Sequence, residues 1–259
     1  MSKENIYVKY PSIPLLDSCP EILEGPVKVF EKLDGGNCQI SISEGKLIPG
    51  SRSRPISGNR IQKVSWFGDF TKWVYSSPQL YNLDENQVLF GEWLSFHNVD
   101  YNPEKIDQFY LFDVYDRKTG QFLDYPRGLE SLEAREIDLN CLETLTEGTI
   151  SLDDLKQVLA RESEYRDSFM EGVVVKNYEQ QKFAKLVRPE FSEVARGNRL
   201  PNIEKYMTEA RVRKARATLN ENEVEPTPDN LVKEIMRNVK SEHGVSLSKR
   251  DIQRKLKGK

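Results

Sequence analysis

Over the first two-thirds of the chain, apolar and polar positions alternate in short runs, the period of half-buried strands. Residues 27–33 read as a strand that ends at Asp34-Gly35-Gly36, and residues 37–42 read as the next. Strands are expected at 88–94, 109–116 and 121–123, with turns at Glu44-Gly45-Lys46 and Lys118-Thr119-Gly120. Residues 172–176 and 183–187 predict a late hairpin pair. Helical spacing interrupts this pattern. Trp66, Phe70, Trp73 and Val74 share one face over 66–75, and Ser151 is placed to cap a helix over 152–160 with Asp153 and Asp154 in its first turn. Beyond Arg196 the pattern turns helical throughout. A charged helix is expected over 203–218, and Pro226 and Pro228 punctuate. Asp229 is placed to cap 230–241, and Ser248-Lys249-Arg250-Asp251 resembles a capping box for a last short helix. The change of pattern predicts two domains, 1–195 and 196–259.

Composition narrows the class. The 259 residues are 37% hydrophobic, 10% aromatic and 31% charged, with a net charge of −3, which suits a folded chain rather than a disordered one. No apolar run approaches the roughly 18 residues that span a bilayer, so no membrane association is expected. Met1-Ser2-Lys3-Glu4-Asn5 has no apolar segment of a secretory leader. Three cysteines (Cys19, Cys38, Cys141) are too few for a disulfide framework, and two histidines (His97, His243) leave little for a Cys/His zinc site. A reducing cytoplasm, or host cytoplasm for a phage-encoded chain, is the expected compartment. Charge is unevenly spread. Residues 195–259 carry 16 Lys and Arg against 9 Asp and Glu, which leaves 22 against 32 for the rest. A basic tail on an acidic body fits a polyanionic partner, and it fits a solvated helical appendage as well.

Lys32-Leu33-Asp34-Gly35 carries the candidate chemistry. A lysine freed of its proton attacks phosphorus or a carbonyl, and glycines allow close backbone approach to a ligand. Taken alone, the tetrapeptide reads more readily as an ordinary strand entering a glycine turn. Its companions change that. Ser51-Arg52-Ser53-Arg54 follows, then Phe90-Gly91-Glu92-Trp93, Phe112-Asp113, Glu171-Gly172-Val173-Val174-Val175-Lys176, and Lys185-Leu186-Val187-Arg188. This ordered set resembles the nucleotidyltransferase motifs of the covalent polynucleotide ligase and capping-enzyme superfamily. Glu31-Lys32-Leu33-Asp34-Gly35-Gly36-Asn37 and Gly91-Glu92-Trp93-Leu94 are most similar to the ATP-dependent RNA ligases of the RNA ligase 2 type. The resemblance covers about residues 20–195.

The resemblance implies an α+β fold. A nucleotidyltransferase (ATP-grasp-like ligase) domain of antiparallel sheets flanked by helices would hold ATP in the cleft between them, followed by a small basic C-terminal helical domain. It implies that Lys32 attacks the α-phosphate of ATP to form lysyl-AMP, and that AMP passes to an RNA 5′-phosphate before a 3′-hydroxyl displaces it. Lys185 and Arg52 are the implied phosphate contacts, with Lys176 a further cation. Glu92 and Glu171 are the implied contacts to the ribose and to Mg²⁺ or Mn²⁺, and Phe112 the stack on adenine. Glu31, Asp34 and Asn37 flank the nucleophile, with Asp34 in the implied catalytic set and Glu31 and Asn37 among the implied nucleotide contacts, Asn37 at a position the RNA ligases use in later steps. The residues by themselves allow plainer readings: Phe112 as core, Glu92 and Glu171 as solvated strand edges, Arg52 as a turn residue. Trp66, Trp73 and Trp93 read as core. The implied partner is RNA with 5′-phosphate and 3′-hydroxyl ends, including nicked duplexes, acted on by a monomer. One departure stands out. Val187 occupies the place of the second lysine that such enzymes often carry, and Arg188, next along the strand, should face the other way. A DNA-nick ligase and a GTP-using guanylyltransferase are alternatives within the class, though the short helical tail leaves no room for the barrel those enzymes append. A non-catalytic RNA-binding protein with this fold is the alternative outside it.

Overall fold

The computed structural model describes residues 7–57, 65–95, 101–188, 206–243, 247 and 249–257. The chain divides into two compact units, 1–186 and 187–259. The boundary expected near residue 195 lies outside the described residues, as does His97.

The first unit is built on two sheets. One has the strand order β10-β9-β1-β8, from β1 (Val27–Glu31), β8 (Thr144–Gly148), β9 (Gly172–Asn177) and β10 (Lys182–Val187). The other has the order β3-β2-β4-β5-β6, from β2 (Gly36–Ser43), β3 (Lys46–Ser51), β4 (Gln87–Leu94), β5 (Gln108–Asp116) and β6 (Gln121–Phe122), with the short β7 (Asn140–Cys141) on β5. The pairs of β1 with β8 and β9, and of β2 with β3 and β4, are antiparallel.

Alternation along the strands sets the layers. Val27 and Val29 of β1 join Val173 and Val175 in a cluster with Leu155 and Val158 of α3 (Leu152–Leu159). Phe30, on the opposite face, joins Phe183 and the sheet residues Val88, Phe90, Tyr110 and Phe112 in a second, largely aromatic cluster. That second core therefore draws on both sheets. The outer face of the larger sheet packs on α1 (Ser65–Ser76), where the Phe70 ring meets Trp93 and Phe109 at 5.6 and 6.2 Å.

Most expected elements form close to where the pattern puts them. The first strand is shorter than expected because the chain leaves its ladder after the Lys32 N–H, and residues 33–35 carry it from one sheet to the other. Ser151 caps α3 as a full capping box, its hydroxyl accepting from the Asp154 N–H while Asp154 accepts from the Ser151 N–H. β3, β8 and α2 (Tyr125–Glu133) lie in stretches whose periodicity predicts nothing.

In the second unit, α4 (Glu209–Glu221), α5 (Pro228–His243) and α6 (Lys249–Lys257) share a cluster of Ala215, Leu219, Leu231, Val232, Ile235, Val239 and Ile252. Two expected boundaries shift. The helix expected over 203–218 is interrupted: Tyr206 is helical, Met207 and Thr208 are not, and α4 begins at Glu209, where the Thr208 hydroxyl accepts from the Arg211 N–H at 3.2 Å, while residues 203–205 lie outside the described residues. Asp229 does not cap α5. Thr227 does, accepting from the Asn230 N–H at 3.3 Å, and Pro228 takes the first helical position, where its missing N–H costs nothing. Ser248 lies outside the described residues.

Candidate active site

Lys32 lies where the chain crosses between the sheets. The antiparallel register of β1 and β9 pairs Glu31 with Val173, and the Lys32 N–H continues the ladder to the Gly172 carbonyl at 2.9 Å. This register brings Glu171 level with the turn, and its Oε2 accepts from Lys32 Nζ at 2.9 Å. Four residues on, β2 pairs with β4, setting Asn37 opposite Glu92 and Gly36 opposite Trp93. Glu92 Oε1 accepts from the Gly35 N–H at 2.8 Å. One carboxylate thus comes from each sheet, with the lysine on the link between them.

The glycines are required by contact. A Cβ on Gly35 would stand 2.4 Å from the Trp93 carbonyl oxygen, and one on Gly36 would stand 2.4 Å from the Trp66 ring. Real Cβ atoms do not approach so closely. Tyr101, 67 residues further along the chain, supports the same turn, its hydroxyl accepting from the Asp34 N–H at 2.6 Å.

Electrostatics follow from this arrangement. Burial disfavours the Lys32 ammonium, but the Glu171, Asp34 and Glu92 carboxylates outweigh it, and the pKa is raised above the ordinary lysine value. Lys32 is therefore a protonated, paired ammonium at neutral pH. Asn37 Oδ1 is buried and accepts no hydrogen bond among the described residues.

The remaining expected residues are spread more widely. Glu31 is buried and faces away from the Lys32 cluster, accepting from Ser163 Oγ at 2.5 Å. Arg52 sits in the turn after β3, and its guanidinium donates to the Pro11 carbonyl and Ser12 Oγ, both at 2.9 Å. Lys185 is half-buried in β10, and its N–H donates to the Pro14 carbonyl. Phe112 is 9% exposed and lies in the aromatic core. Phe90 pairs with Asp113 and Gly91 with Leu111, so Phe112 is the extra residue of a β-bulge.

Lys176 departs most from expectation. It is 2% exposed, and its ammonium is spent on Asp113 Oδ2 at 2.9 Å and on the Phe112 carbonyl at 2.6 Å. It lies over the Phe30, Phe112 and Phe183 rings at 4.6 to 5.5 Å. Burial pulls its pKa down against the attraction of Asp113. The strand's alternation turns it into the core, so it is a structural cation and not a surface one. Asp113 also accepts from the Tyr10 hydroxyl at 2.5 Å and the Tyr178 hydroxyl at 2.7 Å. Tyr10, Tyr101 and Tyr178 carry no sequence signal, because each reaches its partner over 65 residues or more.

Residues 25–187 match the family model described as RNA ligase. The chain belongs to the RNA ligase family. No curated protein matches its sequence. Among solved structures it is similar to an RNA ligase of Naegleria gruberi in several forms. A variant with ATP and Mn is 20% identical, with a TM-score of 0.54, over 72% of this chain and 57% of that one. The protein with PPi is 21% identical, with a TM-score of 0.53, over 73% and 58%. A variant with AMP and Mn is 19% identical, with a TM-score of 0.55, over 72% and 57%. At this identity the likeness shows a shared fold, and this RNA ligase family member matches less than two-thirds of the Naegleria chain's length. The mixed α/β architecture with antiparallel sheets is that fold. Among the described residues no helix is long and apolar enough to cross a membrane.

Proposed function

We propose that the chain is an ATP-dependent RNA ligase that joins 5′-phosphate and 3′-hydroxyl RNA ends through AMP held covalently on Lys32. The observation that carries this is the setting of Lys32. In a chain of the RNA ligase family, its ammonium stands on the crossing between two sheets, bonded to Glu171 and within the field of Asp34 and Glu92. The Naegleria ligase was solved with ATP, with AMP and with PPi, the reactant and the two products of such a step.

Lys32 first gives up its proton to solvent water. Burial is the largest influence on it and opposes the charge, and only the carboxylates hold the proton in place. Neutralising them therefore frees the amine. The Nζ lone pair then forms a bond to the α-phosphorus while the bond to pyrophosphate breaks in line. Among the described residues no group of three acidic, His or Cys side chains forms a metal cage. Two carboxylates suit Mg²⁺ or Mn²⁺, which keeps waters and phosphate oxygens as its other ligands. Glu171 and Glu92 would hold that cation, which supplies charge neutralisation to the phosphates and to the lysine's surroundings. Lys185 and Arg52 are assigned to phosphate, Phe112 to adenine, and Asn37 Oδ1 to a hydroxyl donor of the nucleotide or RNA. Residues 196–259 are assigned as a basic helical domain that contacts the RNA backbone, with a nicked duplex as substrate and a monomer as the active form.

The test is the intact mass after incubation with ATP and Mg²⁺. A gain of one AMP less water is expected, absent in Lys32→Ala and with GTP. Pyrophosphate should discharge any adduct already present on the purified protein. No adduct before or after these treatments would sink the reading. Equal sealing of DNA and RNA nicks would move the assignment to a DNA ligase.

A further inference from the structure

Residues 161–170 run from α3 to Glu171, and two neighbouring side chains on β1 and its extension grip this loop at opposite ends. Lys32 holds the far end, through Glu171 Oε2 at 2.9 Å and through its N–H to the Gly172 carbonyl. Glu31 holds the near end. Its Oε1 accepts from Ser163 Oγ at 2.5 Å and its Oε2 from the Glu164 N–H at 3.4 Å. Successive strand residues face opposite ways, so one stretch of backbone carries both grips.

Between these points the loop is hydrogen-bonded to itself. Glu162 bridges Phe169, and the Ser163 N–H donates to the Ser168 carbonyl at 2.9 Å. The Arg166 guanidinium, 9% exposed, donates to the Phe169 carbonyl. Tyr165 is buried against the Tyr110 ring at 5.1 Å, and its carbonyl accepts from the Asn102 N–H. These bonds tie the Glu31 end of the loop to Ser168 and Phe169, and Phe169 stands two residues before Glu171.

We propose that Glu31 is a positioning residue for the lysine nucleophile: its ionised carboxylate latches the 161–170 loop and thereby sets Glu171 against Lys32. The inference rests on the adenylylation reading above and assigns the regulation of that site. Ionised, Glu31 presents two acceptors to two donors. Protonated, it has a donor of its own and loses an acceptor, and the latch loosens.

Burial pushes the Glu31 carboxyl up to about 7, against the Ser163 and Glu164 hydrogen bonds. The charged groups that act on it are Glu164, which pushes the same way as burial, and Arg166, which opposes. The Tyr165 phenol, itself raised by its own burial and then by Glu31, faces it from the loop. The latch is accordingly made above about pH 7 and released below it.

The experiment follows the full chain between about pH 6 and about pH 8 at saturating ATP. It reads single-turnover lysine adenylylation and the hydrogen exchange of 161–171, corrected for intrinsic rates. In the unmodified chain, loop protection and rate should rise together through about pH 7. Glu31→Gln should slow adenylylation by about tenfold or more, with KM for ATP little changed. It should also hold loop protection at its low-pH level throughout. Ser163→Ala leaves the carboxylate in place and removes one donor. It should move the midpoint of the exchange transition upward, because the hydrogen bond it deletes favours the ionised form. If Glu31→Gln fails to fold, this second variant decides. Unchanged loop protection in both variants, or in the unmodified chain across the range, overturns the latch. Failure of the unmodified chain to take up AMP overturns the functional reading instead, and the exchange data still judge the latch.

Discussion

A buried carboxylate beside a reactive lysine carries a thermodynamic signature. Glu31 has a pKa of about 7 in the fold against 4.5 for an unperturbed glutamate. The folded chain therefore binds more protons than the unfolded one between those values. Stability contributed by this group is present below about pH 4.5 and is lost as pH rises through about pH 7, by on the order of 3 kcal/mol. Denaturant melts across that range should show the decline in the parent chain and a flatter profile in Glu31→Gln. The buried Lys176–Asp113 pair makes a second prediction. Either Lys176→Met or Asp113→Asn alone strands a buried charge or donor and should cost about 3–5 kcal/mol. The double variant should cost clearly less than the sum, since neither charge is left unpaired. Additive costs in denaturant unfolding would show that the pair is not coupled.

Elements follow from local rules where those rules are strong. Ser151 meets both halves of a capping box with Asp154, so α3 starts where the sequence says it should. Ser151→Ala should destabilise the first unit by about 1 kcal/mol, read as a shift of the unfolding midpoint with the slope unchanged. The helix start at Glu209 was less legible. The charged pattern runs through the break at Met207 and Thr208, and a single threonine hydroxyl caps the helix that follows. Asp229 shows the same competition, with Thr227 better placed because Pro228 claims the first helical turn. β8 and α2 escaped the pattern because both are mostly surface. β8 has no buried residue, and α2 buries only Tyr125, Gly128 and Leu132.

The whole molecule holds two compact units of unequal charge, and function divides between them in the proposal. Removal of 197–259 should spare AMP transfer to Lys32 and weaken the joining of RNA ends, with a shallower salt dependence for the truncated chain. Complete sealing by the truncated protein would remove the RNA-binding role from the tail.

The sequence by itself determined the strand alternation, the α3 cap, the glycine turn after Lys32 and the order of the charged motifs. These are local properties, written in neighbouring residues. Only the tertiary structure decided which of the charged residues meet. The β1–β9 register brought Glu171 to Lys32 across 139 residues, and the β2–β4 register brought in Glu92. The same registers sent Lys176 inward to Asp113 and turned Glu31 toward Ser163. A strand's periodicity says that its side chains alternate, while which face meets a substrate and which meets the core depends on what the fold packs against each side.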